Sequence, residues 1–163
     1  MTAKDALKTA LNSNRTLLTS YLSDFSDADL LVRPAPKANH AAWQLGHLIA
    51  AEVMLLGMVP GAKPPALPAG FAERYTKNTA ADDGPAGFLS KAEYLRLLGQ
   101  VREVTLSTLA NLPEAELDTP VKGDMAAFAP TIGALFLGMA SHELMHGAQF
   151  TVTRRKLGKP ILM

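Results

Sequence analysis

The sequence predicts an all-α protein, a single domain folded as a four-helix bundle. Three observations lead there. Apolar residues recur at steps of three and four in four separate stretches. No stretch shows the alternation of period two that marks a strand. Connectors rich in proline divide the four stretches. The chain has 163 residues, 48% of them hydrophobic, which is enough to bury a core and excludes a disordered chain.

The first helix is predicted over 3–24. Leu7, Leu11, Asn14, Leu18, Tyr21 and Phe25 form its seam, and Asn14 is either a buried amide or a wall of a central pocket. Pro34 and Pro36 mark a connector. Asn39 then reads as the N-cap of a second helix over 40–58, whose inward face is His40, Trp43, His47, Ala50 and Met54. Pro60, Pro64, Pro65 and Pro68 stop that helix. Residues 59–89 form a long connection between helices two and three. A connection of this length suits a crossing that leaves those helices parallel, and its prolines suit a segment packed over the bundle to shape a pocket.

Ser90 and Glu93 form a capping box that opens the third helix, 90–112, with Tyr94, Leu98, Val101, Thr105, Thr108 and Leu112 along its seam. The fourth helix spans 131–157 and is closed by Gly158 and Pro160. Ile132, Leu135, Met139, His142, His146, Gln149 and Thr153 share its inward face. Arg154, Arg155 and Lys156 complement the helix dipole at a solvated C-terminal end.

Composition narrows the function. The net charge of +1 supplies no field for nucleic acid or for acidic lipid. No apolar run approaches the roughly 20 residues of a membrane span, and the N-terminal stretch lacks a signal-peptide core, so a cytoplasmic protein is expected. Cysteine is absent, which rules out disulfides and zinc sites built on thiolates. Any metal must use histidine, carboxylate or water.

His142 and His146 stand four residues apart, an offset of about 40° and 6 Å that lets both imidazoles address one ion. His142-Glu143-Leu144-Met145-His146 also fits the HExxH pattern of zinc proteases. No His, Asp or Glu follows His146 as a third ligand, however, and no sheet is predicted to align a peptide. The third ligand is better placed upstream at His47, within the inward face of helix two. Three imidazoles from two facing helices would leave positions for water, the layout of a catalytic site. His40 lies seven residues before His47, about 10.5 Å along the helix. It is too far to share the ion, and is either a helix-end histidine or an acid/base group at the pocket mouth. Glu143 is either a support to the ligands or solvated, and Gln149 is placed to orient a ligand or water.

WxLGHL in helix two, HxxxHGxQ and RRxLGKP in helix four, and the Asp27-Ala28-Asp29-Leu30 turn resemble the DinB/YfiT-like family of four-helix-bundle metalloproteins. The resemblance spans nearly the whole chain. It implies an up-down-down-up bundle with nickel, zinc or another first-row divalent ion on His47, His142 and His146. It also implies, for some relatives, activation of a low-molecular-weight thiol for S-transfer or isomerisation.

The function expected is therefore a metal-dependent enzyme that activates a small thiol or water for transferase-type chemistry on a small molecule, with His40, Glu143 and Gln149 as the candidate catalytic side chains. The alternatives are a metal-dependent hydrolase and a non-catalytic bundle that binds metal or ligand. Apolar positions outside the seams, Leu17 with Leu22 or Leu97 with Val104, could serve a homodimer.

Overall fold

The computed structural model describes residues 1–162. Among these the protein is all-helical, with six α-helices: α1 (Ala3–Tyr21), α2 (Asp27–Leu30), α3 (Ala41–Leu56), α4 (Phe71–Arg74), α5 (Lys91–Asn111) and α6 (Ile132–Lys156). Four of them are long. The nearest approach to a strand among the described residues is a single bridge between Pro120 and Thr131.

Local chemistry explains the helix ends. Thr2 with Asp5 caps α1, Ser26 with Asp29 caps α2 and Ser90 with Glu93 caps α5, each by a reciprocal capping box. Helix α1 stops at Tyr21, before the expected position 24, because the Tyr21 carbonyl accepts from Arg154 Nη1 at 2.7 Å and turn bonds replace the ladder beyond it. Helix α3 begins at Ala41, and its N-cap is His40, not Asn39: His40 Nδ1 accepts the Trp43 N–H at 3.1 Å. The helix ends at Leu56. Within its last turn Met54 lies off the buried face, 51% exposed, while Leu55 and Leu56 point inward.

Two other expectations change. Arg154 does not belong to a solvated end. It is 1% exposed and pairs with Asp24 while its Nε donates to the Pro160 carbonyl. Leu22 and Leu97 are core residues and offer nothing to a dimer.

Pairs between helices place the elements. Asn14 donates to the Ala140 carbonyl, Leu18 lies against Gly147, and Arg154 reaches Tyr21, so residues later in α1 meet residues later in α6. Lys4 Nζ donates to Ala110 O, whereas Arg15 Nη1 donates to Leu98 O, so α1 and α5 pair in the opposite sense.

The core divides into two apolar clusters. One gathers Leu18, Leu22, Trp43, Leu45, Ile49, Tyr94, Leu98 and Phe150, with Phe71 and Tyr75 from the long connection. The other gathers Leu11, Leu55, Leu56, Leu109, Leu135, Phe136 and Met139. Along each of the four long helices, one charged residue is drawn inward between the clusters. Arg15 of α1, Glu52 of α3, Arg102 of α5 and Glu143 of α6 meet there. Arg102 binds Glu52 through two hydrogen bonds of 2.9 and 3.0 Å and reaches Glu143 at 2.8 Å. Arg15 pairs with Glu143 and lies 3.4 Å from Glu52. Thr105 Oγ1 donates to Glu52 at 2.7 Å. The two arginines balance the two carboxylates, so burial strands no net charge. Burial alone would raise the pKa of Glu52. Hydrogen bonds from Arg102, the charges of Arg102 and Arg15, and the Thr105 hydroxyl more than offset it and hold the carboxyl below its ordinary range.

Removing one partner from such a layer leaves a buried charge uncompensated. Arg102→Ala should cost about 3–5 kcal/mol of folding stability, measured by urea unfolding. A cost below about 1 kcal/mol, the ceiling for ordinary surface pairs, would mean that the layer is effectively solvated.

Candidate metal centre

Beside this polar layer, α3 and α6 bring three histidines together. The candidate ligand atoms of His47, His142 and His146 all lie within 4.8 Å of one another. The rings of His47 and His142 are perpendicular at 5.0 Å between centroids, and those of His142 and His146 are near-perpendicular at 4.7 Å. His146 Nε2 and His142 Nε2 are 3.1 Å apart. His146 is buried, and the other two are half-buried.

The surrounding hydrogen bonds select tautomers. Gln44 Nε2 donates to the Asn39 carbonyl at 2.7 Å, which turns Gln44 Oε1 toward His146 Nδ1 at 2.9 Å. An amide oxygen can only accept, so His146 carries its proton on Nδ1 and presents the Nε2 lone pair to its neighbours. His47 Nδ1 lies 3.3 Å from the Tyr75 carbonyl, so the same logic frees its Nε2. Trp43 stacks on His47 with ring planes 9° apart and centroids 5.0 Å apart. Gly46 leaves room for this arrangement, since a Cβ there would lie 2.2 Å from the Tyr75 ring.

Burial is the first cause that lowers each imidazole's pKa. The neighbouring imidazoles add to it, taking His142 to about 4 and His146 to about 3. For His47, a bond to the Tyr75 carbonyl only partly opposes burial. Neutral imidazole is the form that ligates a cation. Three such nitrogens converging from two helices, two of them with the other ring nitrogen engaged by an acceptor, are chemically suited to a divalent ion of the first transition row.

The other candidate residues stand elsewhere. His40 is fully buried and uses both ring nitrogens, Nδ1 as the cap of α3 and Nε2 toward the Asp82 carbonyl at 3.1 Å, with Phe88 edge-on against its ring. It is not at a pocket mouth. Glu143 follows His142 in sequence, but both of its carboxylate oxygens are taken by Arg15 and Arg102. Within HELMH it is a structural ion-pair partner, not the free base of a protease. Gln149 is exposed on α6, and the glutamine that bonds one of the clustered histidines is Gln44. Asn14 donates to the Ala140 carbonyl and Thr105 to Glu52, so neither bonds one of the three histidines. The glycines of α6 stand beside residues outside the histidine cluster: Gly138 lies against Phe128, and Gly147 packs on Leu18.

The sequence carried a signal for Gln44. It precedes His47 by three residues and lies one helical turn from it, as a polar residue in a run that is otherwise buried and apolar. Among the described residues, no helix is long and apolar enough to cross a membrane.

Compared with known proteins, residues 10–150 match the DinB superfamily. Among solved structures, the chain is similar to a conserved protein from Enterococcus faecalis known from its crystal structure. The two are 16% identical, with a TM-score of 0.72, and the match covers 98% of this chain and 99% of the other. At that identity the likeness is one of fold. No curated protein matches the chain.

Two outcomes follow from the geometry. Gln44→Leu removes the acceptor that fixes His146 and should weaken metal affinity by about 10–100-fold, measured by competition with a chromogenic chelator; unchanged affinity would dismiss the orienting role. The metal-free protein should also lose stability in acid. A histidine whose pKa is lower folded than unfolded binds its proton more readily when unfolded. Its stabilisation is complete above about pH 6.5 and is lost as the pH falls toward the folded values, which reach about 3 at His146. Thermal unfolding of the metal-free protein should show a falling Tm between pH 6.5 and 4.5. That window lies above the carboxylate range, where Glu52 adds a loss of the same sign.

Proposed function

This chain belongs to the DinB superfamily, and on that premise we propose that it is a metal-dependent enzyme. Its ion sits on His47, His142 and His146, and its reaction joins a low-molecular-weight thiol to a small-molecule electrophile. The carrying observation is the convergence of three neutral imidazoles with ring nitrogens held ready for a cation. When bound, such an ion supplies Lewis acidity that lowers the pKa of a thiol or water reaching it.

The protein's own groups do the remainder. Gln44 and the Tyr75 carbonyl orient two of the rings, Trp43 buttresses His47, and the half-exposed His47 and His142 give access from solvent. A thiol is favoured over water because Glu52 and Glu143 are both saturated by arginine. Neither is free to take a proton from water, whereas a thiol starts closer to its ionised form. The same family premise gives the four long helices an up-down-down-up order, which the pairings of α1 with α6 and of α1 with α5 support. The second reading is a non-catalytic metal-binding bundle.

Protein purified without nickel resin should carry about one equivalent of a divalent ion by elemental analysis. His47→Ala, His142→Ala and His146→Ala should each weaken binding at least tenfold, of the order known for losses around metal ligands. His40→Asn, which keeps a cap on α3, should leave binding unchanged. If His40→Asn strips the metal and His47→Ala does not, the ligand assignment is wrong. Metal binding without turnover across a panel of thiols and alkylating electrophiles would favour the non-catalytic reading.

A further inference from the structure

We propose that the outward face of α6 is the surface through which two copies of this chain pair, their α6 helices antiparallel about a two-fold axis between Leu144 and Met145.

Between Ile132 and Thr153 the exposed residues of α6 are Leu137, Ser141, Leu144, Met145, Ala148 and Val152, with Gln149 at the edge next to His142. None is charged, and the only carboxylate in that span, Glu143, is turned into the core. Helix α5 shows the contrast, with Glu93, Arg96 and Glu103 on its exposed side. The large members of the α6 face are open to solvent: Leu137 is 53% exposed, Leu144 42%, Met145 55% and Val152 48%. At about 1.5 Å per residue the stripe from 137 to 152 is roughly 22 Å long, a contiguous apolar surface of the kind that marks an interaction site.

Charge and order point to a second copy as the occupant. Across a two-fold, any charge near the axis meets its own like, so a face that pairs with itself must be neutral there, as this one is. The residue sizes are also palindromic. Outward from the axis in either direction the order is large, small, large: Met145, Ala148, Val152 one way and Leu144, Ser141, Leu137 the other. A two-fold sets Met145 beside the second copy's Met145 and Leu144 beside its Leu144, one pair on each flank of the axis, and brings Leu137 level with its Val152. It sets Ser141 against Ala148, small against small, which lets the axes approach to about 8 Å. The antiparallel arrangement also opposes the helix dipoles favourably.

Area sets the expected strength. One helix face falls short of the roughly 800 Å² per partner of a standard interface. Phe128, 64% exposed and lying against Gly138 of the same helix, widens the patch. Pairing in the micromolar range is expected.

Sedimentation equilibrium from 1 to 200 µM should therefore show a reversible dimer. Met145→Glu, at an exposed position, should raise the dimer Kd at least tenfold while leaving the circular dichroism spectrum and Tm unchanged. The chain contains no cysteine, so single substitutions report geometry. Met145→Cys should form a disulfide-linked dimer under mild oxidation. Leu137→Cys alone should not, because its copies lie roughly 22 Å apart across the axis, whereas Leu137→Cys combined with Val152→Cys should. A monomer at 200 µM would overturn the proposal. So would a dimer indifferent to Met145→Glu, or cross-linking of Leu137→Cys as fast as that of Met145→Cys.

Discussion

The buried pairing of Arg15 and Arg102 with Glu52 and Glu143 is the constraint on which the rest depends. Each long helix contributes one charge, and all four are paired together only when all four helices hold the right register. Hydrophobic contacts tolerate small slides, because one leucine can replace another against a neighbour. A buried guanidinium does not, since a slip of one turn leaves it facing apolar groups at a cost of several kcal/mol. The apolar clusters on either side supply the bulk of the burial, while the layer between them fixes the alignment.

The histidine site inherits that alignment. Glu143 is the next residue after His142, and Glu52 is five residues beyond His47. The ion pairs that lock α3 and α6 into the layer therefore also set the separation of their imidazoles. A second level of control comes from outside the helices. Gln44 is oriented by the Asn39 carbonyl before α3, and His47 is bonded to the Tyr75 carbonyl of the long connection. That connection is anchored in turn by the 2.8 Å contact between the hydroxyls of Tyr75 and Tyr94. Helix packing brings the three imidazoles together, and backbone carbonyls of non-helical segments select the nitrogen that faces inward.

Much of this was legible in the sequence. The seams of α1, α5 and α6 named most of the buried residues, and the capping box at Ser90 located the start of α5, because a period near 3.5 and a reciprocal cap are local properties. The three clustered histidines were legible for the same reason: they lie on seams. The polar layer was not, because charged residues are read as solvent-facing by default. A usable sign was present in their isolation. Glu52 is the only formally charged residue of α3, and Glu143 is the only one in α6 before Arg154. A solitary carboxylate on an otherwise uncharged helix has little reason to be there unless a cation meets it. The capping role of His40 was missed because histidine is rare among N-caps, and Gln149 was misplaced because the buried stripe of α6 drifts away from strict seam spacing after His146.

The pairing of α1 with α6 bears on the order in which the protein can form. Arg15 and Glu143 are 128 positions apart in the chain, and Gln44 and His146 are 102 apart. Closing such separations costs more chain entropy than the local contacts that dominate most helical proteins. During synthesis, a chain that has not yet made α6 holds Arg15, Glu52 and Arg102, two positive charges against one negative, with the second carboxylate still missing. The three helices then available can collapse around apolar residues, but they cannot neutralise their own interior. Water has little reason to leave that interior until the last long helix arrives, so the histidine cluster and the electrostatic balance of the core are completed in the same late step.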